Sequence, residues 1–333
     1  MEIRYAKYYE DFSCIASACP DSCCNEWSVD VDAASAAFYR ELTGPLGDRL
    51  RQVLQDTDDG TIMEIENGRC PMWRQDGLCR IQAELGHDAL CKVCQEFPRL
   101  RHDYGSFVEL GLELSCPEAA RLILSGERQD WVVSGSKETS NVEYDGEIME
   151  ILLRSREEFL DFLDSTTLSF PEILAVALLY GYDLQAELDG GEKAVLTPEN
   201  YLQELAGFSL EAPTHPLADF FLRLEILTPQ WKSRLEAPAV QPNWDNGYRA
   251  LLRYFLCRYW LQAISDYDLV CRIKFAVSAC LLIGHLGGDF VQTAQLFSKE
   301  IENDPDNVEA ILDGAYTAPE LTDRNLLGYC RPK

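Results

Sequence analysis

The chain has 333 residues, 47% of them apolar, which suffices for one large domain or two ordinary ones with a full core. Its 29 Lys plus Arg against 56 Asp plus Glu give a net charge of −27, a field that repels phosphate and disfavours nucleic-acid and anionic-lipid partners. The longest apolar run, residues 275–286, is too short to span a bilayer, and MEIRYAKYYEDF has no signal-like apolar segment, so we expect a cytoplasmic protein with no membrane contact and reduced thiols.

In chain order, CPDSCCNEW at residues 19–27 opens a cysteine-rich half: nine of 13 cysteines fall between Cys14 and Cys116. AASAAFYREL and PLGDRLRQVLQD predict two short helices, the second opened by Pro45. In TIMEIENGRCPMWRQDGLCRI, Asn67-Gly68 and Asp76-Gly77 are turn pairs, predicting a small hairpin that carries Cys70 and Cys79. QAELGHDALCKVCQEF predicts one helix ended by Pro98, and PEAARLILSG another from Pro117 to Gly126. The polar stretch 125–146 suits a connector, dividing the chain into residues 1–135, a cysteine-rich metal or Fe–S module, and 136–333, an α-helical domain.

Beyond it, apolar residues recur at helical spacing in six stretches from VEYDGEIMEILL to DLVCRIKFAVSACLLIGHL, with Pro171, Pro198 and Pro216 at helix starts and Gly190, Gly191, Gly287 and Gly288 at stops. The fold class is mainly α, a cysteine-rich module of short helices and a hairpin followed by an all-α bundle. Cys257, Cys271, Cys280 and Cys330 sit inside apolar helices and read as small buried hydrophobes.

The candidate metal ligands are Cys14, Cys19, Cys23, Cys24, Cys70, Cys79, Cys91, Cys94 and Cys116. Thiolates bind zinc and iron–sulfur clusters, and the spacing alone does not choose between them. Cys91 and Cys94 leave one face of a predicted helix, whereas adjacent Cys23 and Cys24 point apart if extended, so one ligates while the other packs, or they serve two centres. Cys116 before Pro117 places a sulfur at a helix N-terminus, which stabilises thiolate.

The ordered motifs DFSCIASACPDSCCNEW, NGRCPMWRQDGLCRI, CKVCQEFPR and ELSCPEAARLIL, followed by LLRYFLCRYWLQAISDYDLVCRIKFAVSACLLI, resemble flagellin lysine-N-methylase over residues 1–300. Cys23, Cys24, Cys70, Cys79 and Cys94 also match a broader family of zinc- or iron-chelating cysteine-cluster proteins. The resemblance implies a protein-lysine N-methyltransferase acting on flagellin, with S-adenosylmethionine as methyl donor and a [4Fe–4S] cluster in the cysteine module; zinc is the alternative metal. The rival reading is a non-catalytic zinc- or iron-binding, redox-sensing adaptor. A strand–GxGxG–helix motif and the CxxxCxxC triad of radical enzymes are both missing, since Glu26 stands where the third cysteine would be. Surface acidity recruits a lysine but raises its pKa, so it does not by itself activate the amine.

Arg99, Glu118 and Arg121 follow the cysteine motifs and are candidates for holding the carboxylate or amine of the methyl donor, with surface pairing as the plainer reading. Trp27, Trp73 and Phe97 flank cysteines and suit a wall or core packing; His102 is a candidate ligand or proton carrier, and His285 a satisfied core group. No side chain is assigned to catalysis.

Overall fold

The computed structural model describes residues 1–125, 131–207 and 211–331. It is mainly helical, but it also contains sheet structure that the amphipathic patterns did not predict. Among the described residues the strands are β1 Glu2–Ala6, β2 Val29–Val31, β3 Leu54–Thr57, β4 Gly60–Met63, β5 Arg99–Asp103, β6 Phe107–Leu112 and β7 Trp131–Gly135. A four-stranded sheet runs in the order β5-β6-β1-β7, with β1 parallel to β6 and antiparallel to β7. A three-stranded antiparallel sheet runs β2-β4-β3.

The expected hairpin lies one element upstream of its predicted place, in β3 and β4. Both turn pairs nevertheless form. Asn67 and Gly68 take φ of 54° and 76°, and Glu66 and Arg69 exchange backbone bonds at 2.8 and 3.2 Å around them, as a two-residue turn of mirror-image type demands. Around Asp76-Gly77 the pairing shrinks to a single bridge, Trp73 with Cys79. The cysteines here are held by turns, because the intervening residues are too few and too polar to build strands.

Residues predicted as one helix over 82–97 are three pieces: Arg80–Leu85, a 3-10 turn His87–Ala89, and Lys92–Glu96. Gly86, at φ 89°, breaks the first helix, and Cys91 becomes the N-cap residue of the last. The segment expected to be a connector contains β7, which covers the free edge of β1; its residues 126–130 lie outside those described. Gly126 as a helix stop falls there too.

The hydrophobic residues form two cores. A small one gathers Val29, Val31, Tyr39, Leu46, Leu50, Val53, Met63, Met72 and Ile81 around Cys70 and Cys91. The large one joins Phe12, Phe107, Leu112, Leu114 and the helix Pro117–Ile123 to the helices of the second half. At its centre lies Val270–Leu286, buried at every residue from Val270 to Gly284, so the helix keeps no solvent-facing stripe, and its buried charges Arg272 and Lys274 are paired with Asp266 and Asp323. Phe170–Leu188 packs beside this helix, opened by a Ser169/Glu172 capping box with Pro171 in the first turn, and Gly146–Ser165 packs in turn against Phe170–Leu188. The predicted helix HPLADFFLRLEIL is only Leu217–Phe221. Cys271, Cys280 and Cys330 are buried as read, whereas Cys257 is half-buried. No described helix is long and apolar enough to cross a membrane.

Candidate thiolate centre and adjoining cleft

Six cysteines from separate chain segments lie close together. Cys23, Cys24 and Cys70 are close enough to shift one another's acidity, and so are Cys91 and Cys94. The two groups are near enough to influence each other: Cys94 feels Cys24 and Cys23, and Cys79 feels Cys23 and Cys91. Receiving a thiol hydrogen bond lowers a sulfur's pKa, but at Cys24, which receives from Cys23, donation to Cys70 and burial outweigh it and raise the pKa to about 12. Hydrogen bonding from Cys24 lowers the pKa of Cys70, and bonding from Cys94 lowers that of Cys91, while the donors Cys23 and Cys94 are pushed up.

Local structure explains how the segments meet. The backbone N–H of Cys70 donates to the carbonyl of Cys24 at 2.7 Å, joining the CC pair to the Asn67-Gly68 turn. Asp32 caps the helix Ala33–Glu41 by accepting from Ser35 N–H at 3.0 Å, and its other oxygen accepts from Lys92 N–H at 2.9 Å, tying down the CxxC turn. Tyr39 O–H donates to the carbonyl of Ala89 at 2.7 Å just ahead of Cys91.

The remaining thiols, Cys14, Cys19 and Cys116, interact with one another and reach the six through Cys19 and Cys23. At Cys116 the expected helix-terminal N–H groups, of Ala119 and Glu118, do favour thiolate, but burial outweighs them and raises its pKa to about 11. In donor type the six-thiol group suits a soft metal or cluster. Among the described residues no three His, Cys, Asp or Glu side chains already stand in metal-holding arrangement.

A cleft of about 670 Å³ adjoins the thiols, lined by Cys23 and Cys94 on one side and by residues 299–305 on the other. Trp27 and Phe97 wall it, and Arg99 lines it with its guanidinium 5.1 Å from the Phe12 ring. Seven carboxylates, Asp30, Glu96, Glu113, Glu225, Glu300, Glu302 and Asp304, face two cations, Arg99 and Lys299. Three of these charged groups come from a π-helical turn, Ser298–Glu302, that continues the helix Phe290–Phe297 and is buried throughout. Lys299 pairs with Asp21 at 3.0 Å and Glu26 at 2.9 Å and lies 5.2 Å from the Trp27 ring centre. Glu302 accepts from Tyr254 O–H at 3.0 Å and Tyr259 O–H at 2.9 Å and is ion-paired with Arg258 at 3.1 Å. Glu300 accepts from Leu227 N–H at 2.8 Å and from the Thr228 hydroxyl; burial raises its pKa against those bonds. Burial likewise raises Glu113, with Arg258 opposing and Glu302 adding to the shift.

Of the other candidates, Glu118 and Arg121 pair with each other across one turn of their helix at 2.7 and 2.8 Å and do not line the cleft. Trp73 stacks under Arg69, 3.9 Å from the ring centre. His102 is apart from the thiols, in a pocket of about 60 Å³ beneath the large sheet, where burial lowers its pKa. His285 Nδ1 is 2.8 Å from the carbonyl of Leu281, a satisfied core group. The π-helical turn was not anticipated; its only sequence signal is Lys299, Glu300 and Glu302 interrupting an apolar helical run.

Comparison with known proteins bears on this arrangement. A flagellar biosynthetic protein FliU of Salmonella muenchen is 33% identical over 127 residues, 34% of this chain and 72% of the relative. The chain belongs to the FliU and lysine-N-methylase family. Lysine-N-methylases of Salmonella typhimurium and Salmonella choleraesuis are each 35% identical over 124 residues, again 34% of this chain but 30% of their own length. The chain thus spans less than a third of those two family members. No family model matches it, and neither does any solved structure.

Proposed function

We propose that this protein is a lysine N-methyltransferase of a flagellar protein, flagellin above all, with S-adenosylmethionine as methyl donor. The observation that carries the reading is the acidic cleft walled by Cys23 and Cys94. Its size falls within the range of roughly 300–1,000 Å³ usual for small-molecule sites. Both reactants carry positive charge at the reacting atoms or next to them, as sulfonium and ammonium, and a carboxylate-lined cleft attracts both. Arg99 supplies a cation for the donor's own carboxylate. Trp27 and Phe97 exclude water from one side, strengthening these interactions. The names of the lysine-N-methylase and FliU relatives support the same reading.

The donor set also suits a [4Fe–4S] cluster, held by sulfurs drawn from Cys23, Cys24, Cys70, Cys79, Cys91 and Cys94; zinc is the other metal such thiols take. When bound, a cluster supplies iron that coordinates donor groups or passes electrons. The chain's own contribution is to bury Cys70 and Cys91 in the small core with Met63, Met72 and Ile81 and to open Cys23 and Cys94 onto the cleft.

Anaerobically reconstituted protein, incubated with flagellin and S-adenosylmethionine, should add methyl increments to lysine-containing tryptic peptides; unmodified peptides overturn the reading. A second reading, a non-catalytic thiolate-metal adaptor, draws on the alignments spanning only 30% of the lysine-N-methylases. Colourless protein with stoichiometric zinc and no methyl transfer would favour it.

A further inference from the structure

We infer that Glu113 is the carboxylate that seats the target lysine's ammonium in the cleft, an inference resting on the methyl-transfer reading above. Occupancy of the cleft's other carboxylates carries the argument. Glu302 is engaged on both oxygens by Tyr254, and further by Tyr259 and Arg258. Both oxygens of Glu300 are taken, by Leu227 N–H and the Thr228 hydroxyl. Asp304 is committed through one oxygen, Oδ1, to capping the helix Pro305–Thr317, accepting there from both Asp306 and Asn307 N–H at the helix's exposed start. Asp30, Glu96 and Glu225 are exposed to water, which screens their attraction.

Glu113 differs from Glu300 and Glu302 in its engagement and from Asp30, Glu96 and Glu225 in its burial. Its side chain is only 19% exposed, and it receives one hydroxyl bond, from Ser115 at 3.2 Å. Its other oxygen is ion-paired at 3.9 Å, beyond hydrogen-bond reach, with Arg258, whose guanidinium is also paired with Glu302. Lys299 does not compete for it, being neutralised by Asp21 and Glu26. Glu113 is therefore a desolvated carboxylate with acceptor capacity to spare, in the cleft that Cys23 and Cys94 also line. A partly buried carboxylate binds an ammonium more strongly than an exposed one because the local dielectric is lower.

The test uses the full-length reconstituted protein and a Gly–Ala peptide with one central lysine, titrated calorimetrically without methyl donor. Glu113→Gln should weaken binding by about tenfold, the discrimination a hydrogen bond to a charged group supplies. Glu113→Asp should recover most of that loss, and KM for lysine peptide should rise in step while metal content stays at the wild-type level. A norleucine peptide should bind the unmodified protein about tenfold more weakly than the lysine peptide, a comparison independent of how the variants fold. Equal binding of the two peptides, or lysine binding unchanged in Glu113→Gln, overturns the inference. Methyl transfer with an unchanged KM in Glu113→Gln removes the seat and leaves the methyltransferase reading standing. Peptide binding that depends on Glu113, without any methyl transfer, removes that reading and keeps the seat.

Discussion

Lys299 and Asp21, 278 positions apart in sequence, are joined at 3.0 Å. The pair fastens the CPDSCCNEW loop to the π-helical turn, and Gln295 reinforces it by donating to Asp21 at 3.0 Å and to the carbonyl of Ser115 at 2.8 Å. The thiol loop is thereby positioned by the helical half of the chain and not by its own small core alone.

Lys299→Met should leave Asp21 and Glu26 without their shared cation. Because both carboxylates are partly exposed, we expect a loss of about 1–3 kcal/mol, below the range for a fully buried pair. Urea denaturation measures it. Faster alkylation of Cys23 in the metal-free variant would show that the loop has loosened, and an unchanged rate would argue against this fastening.

Arg156 and Glu109 form a bidentate pair, with Nη1 to Oε2 at 2.8 Å, and tie Gly146–Ser165 to β6. Both side chains are less than a tenth exposed. Removing either partner, as in Arg156→Met or Glu109→Gln, should cost about 3–5 kcal/mol, because an uncompensated charge or an orphaned fork stays inside. The double replacement Arg156→Met with Glu109→Leu should cost less than the sum of the single changes; additive losses would show that the pair is not coupled.

Cys70→Ser and Cys91→Ser should each reduce bound iron or zinc in protein purified anaerobically, whereas Cys271→Ala or Cys330→Ala should leave metal content unchanged. Chelation of the metal should unfold the small core before the large one, giving two separate transitions by calorimetry. Equal metal content in all four variants would dissolve the proposed centre.

Asp32 sits well below the usual carboxylate range, at about 2, held there by the N–H groups of Lys92 and Ser35. Its folded pKa is depressed relative to the unfolded value of about 3.9, so its stabilisation is present above that value and is lost as pH falls towards 2. Asp32→Asn should flatten this part of the acid limb in melting temperatures recorded from pH 5 to pH 2. A limb as steep as that of the parent protein would mean the bonds to Lys92 and Ser35 are not maintained in solution. Asp32→Ala should also remove a cap, at about 1 kcal/mol.

The long helices were legible because their apolar spacing is decided locally: Gly146–Ser165, Phe170–Leu188 and Val270–Leu286 all appear where periodicity and proline placement predict them. The four-stranded sheet was not, since β1 finds its partners at residues 107–110 and 131–135, and no local window contains both sides of such a pairing. The break of the predicted cysteine helix at Gly86 was readable in principle, because a glycine followed by His87-Asp88 marks a stop. Nine candidate thiols could be named from the sequence, but not which six of them come close together; the turns that hold Cys70 and Cys79 were announced by the Asn-Gly and Asp-Gly pairs. The cleft could not be foreseen, because three of its charged lining residues come from a π-helical turn whose buried Lys299, Glu300 and Glu302 look in sequence like an ordinary solvated run.

The placement of β1 in the interior of its sheet sets an order of events during synthesis. β1 is synthesised well before its partners and must wait for residues 107–110 and then 131–135 before either of its edges is covered. Until then a bare strand edge travels beside a growing set of sulfhydryls, so the interval in which the nascent chain is most open to mispairing is also the interval before Cys91, Cys94 and Cys116 have joined the earlier thiols.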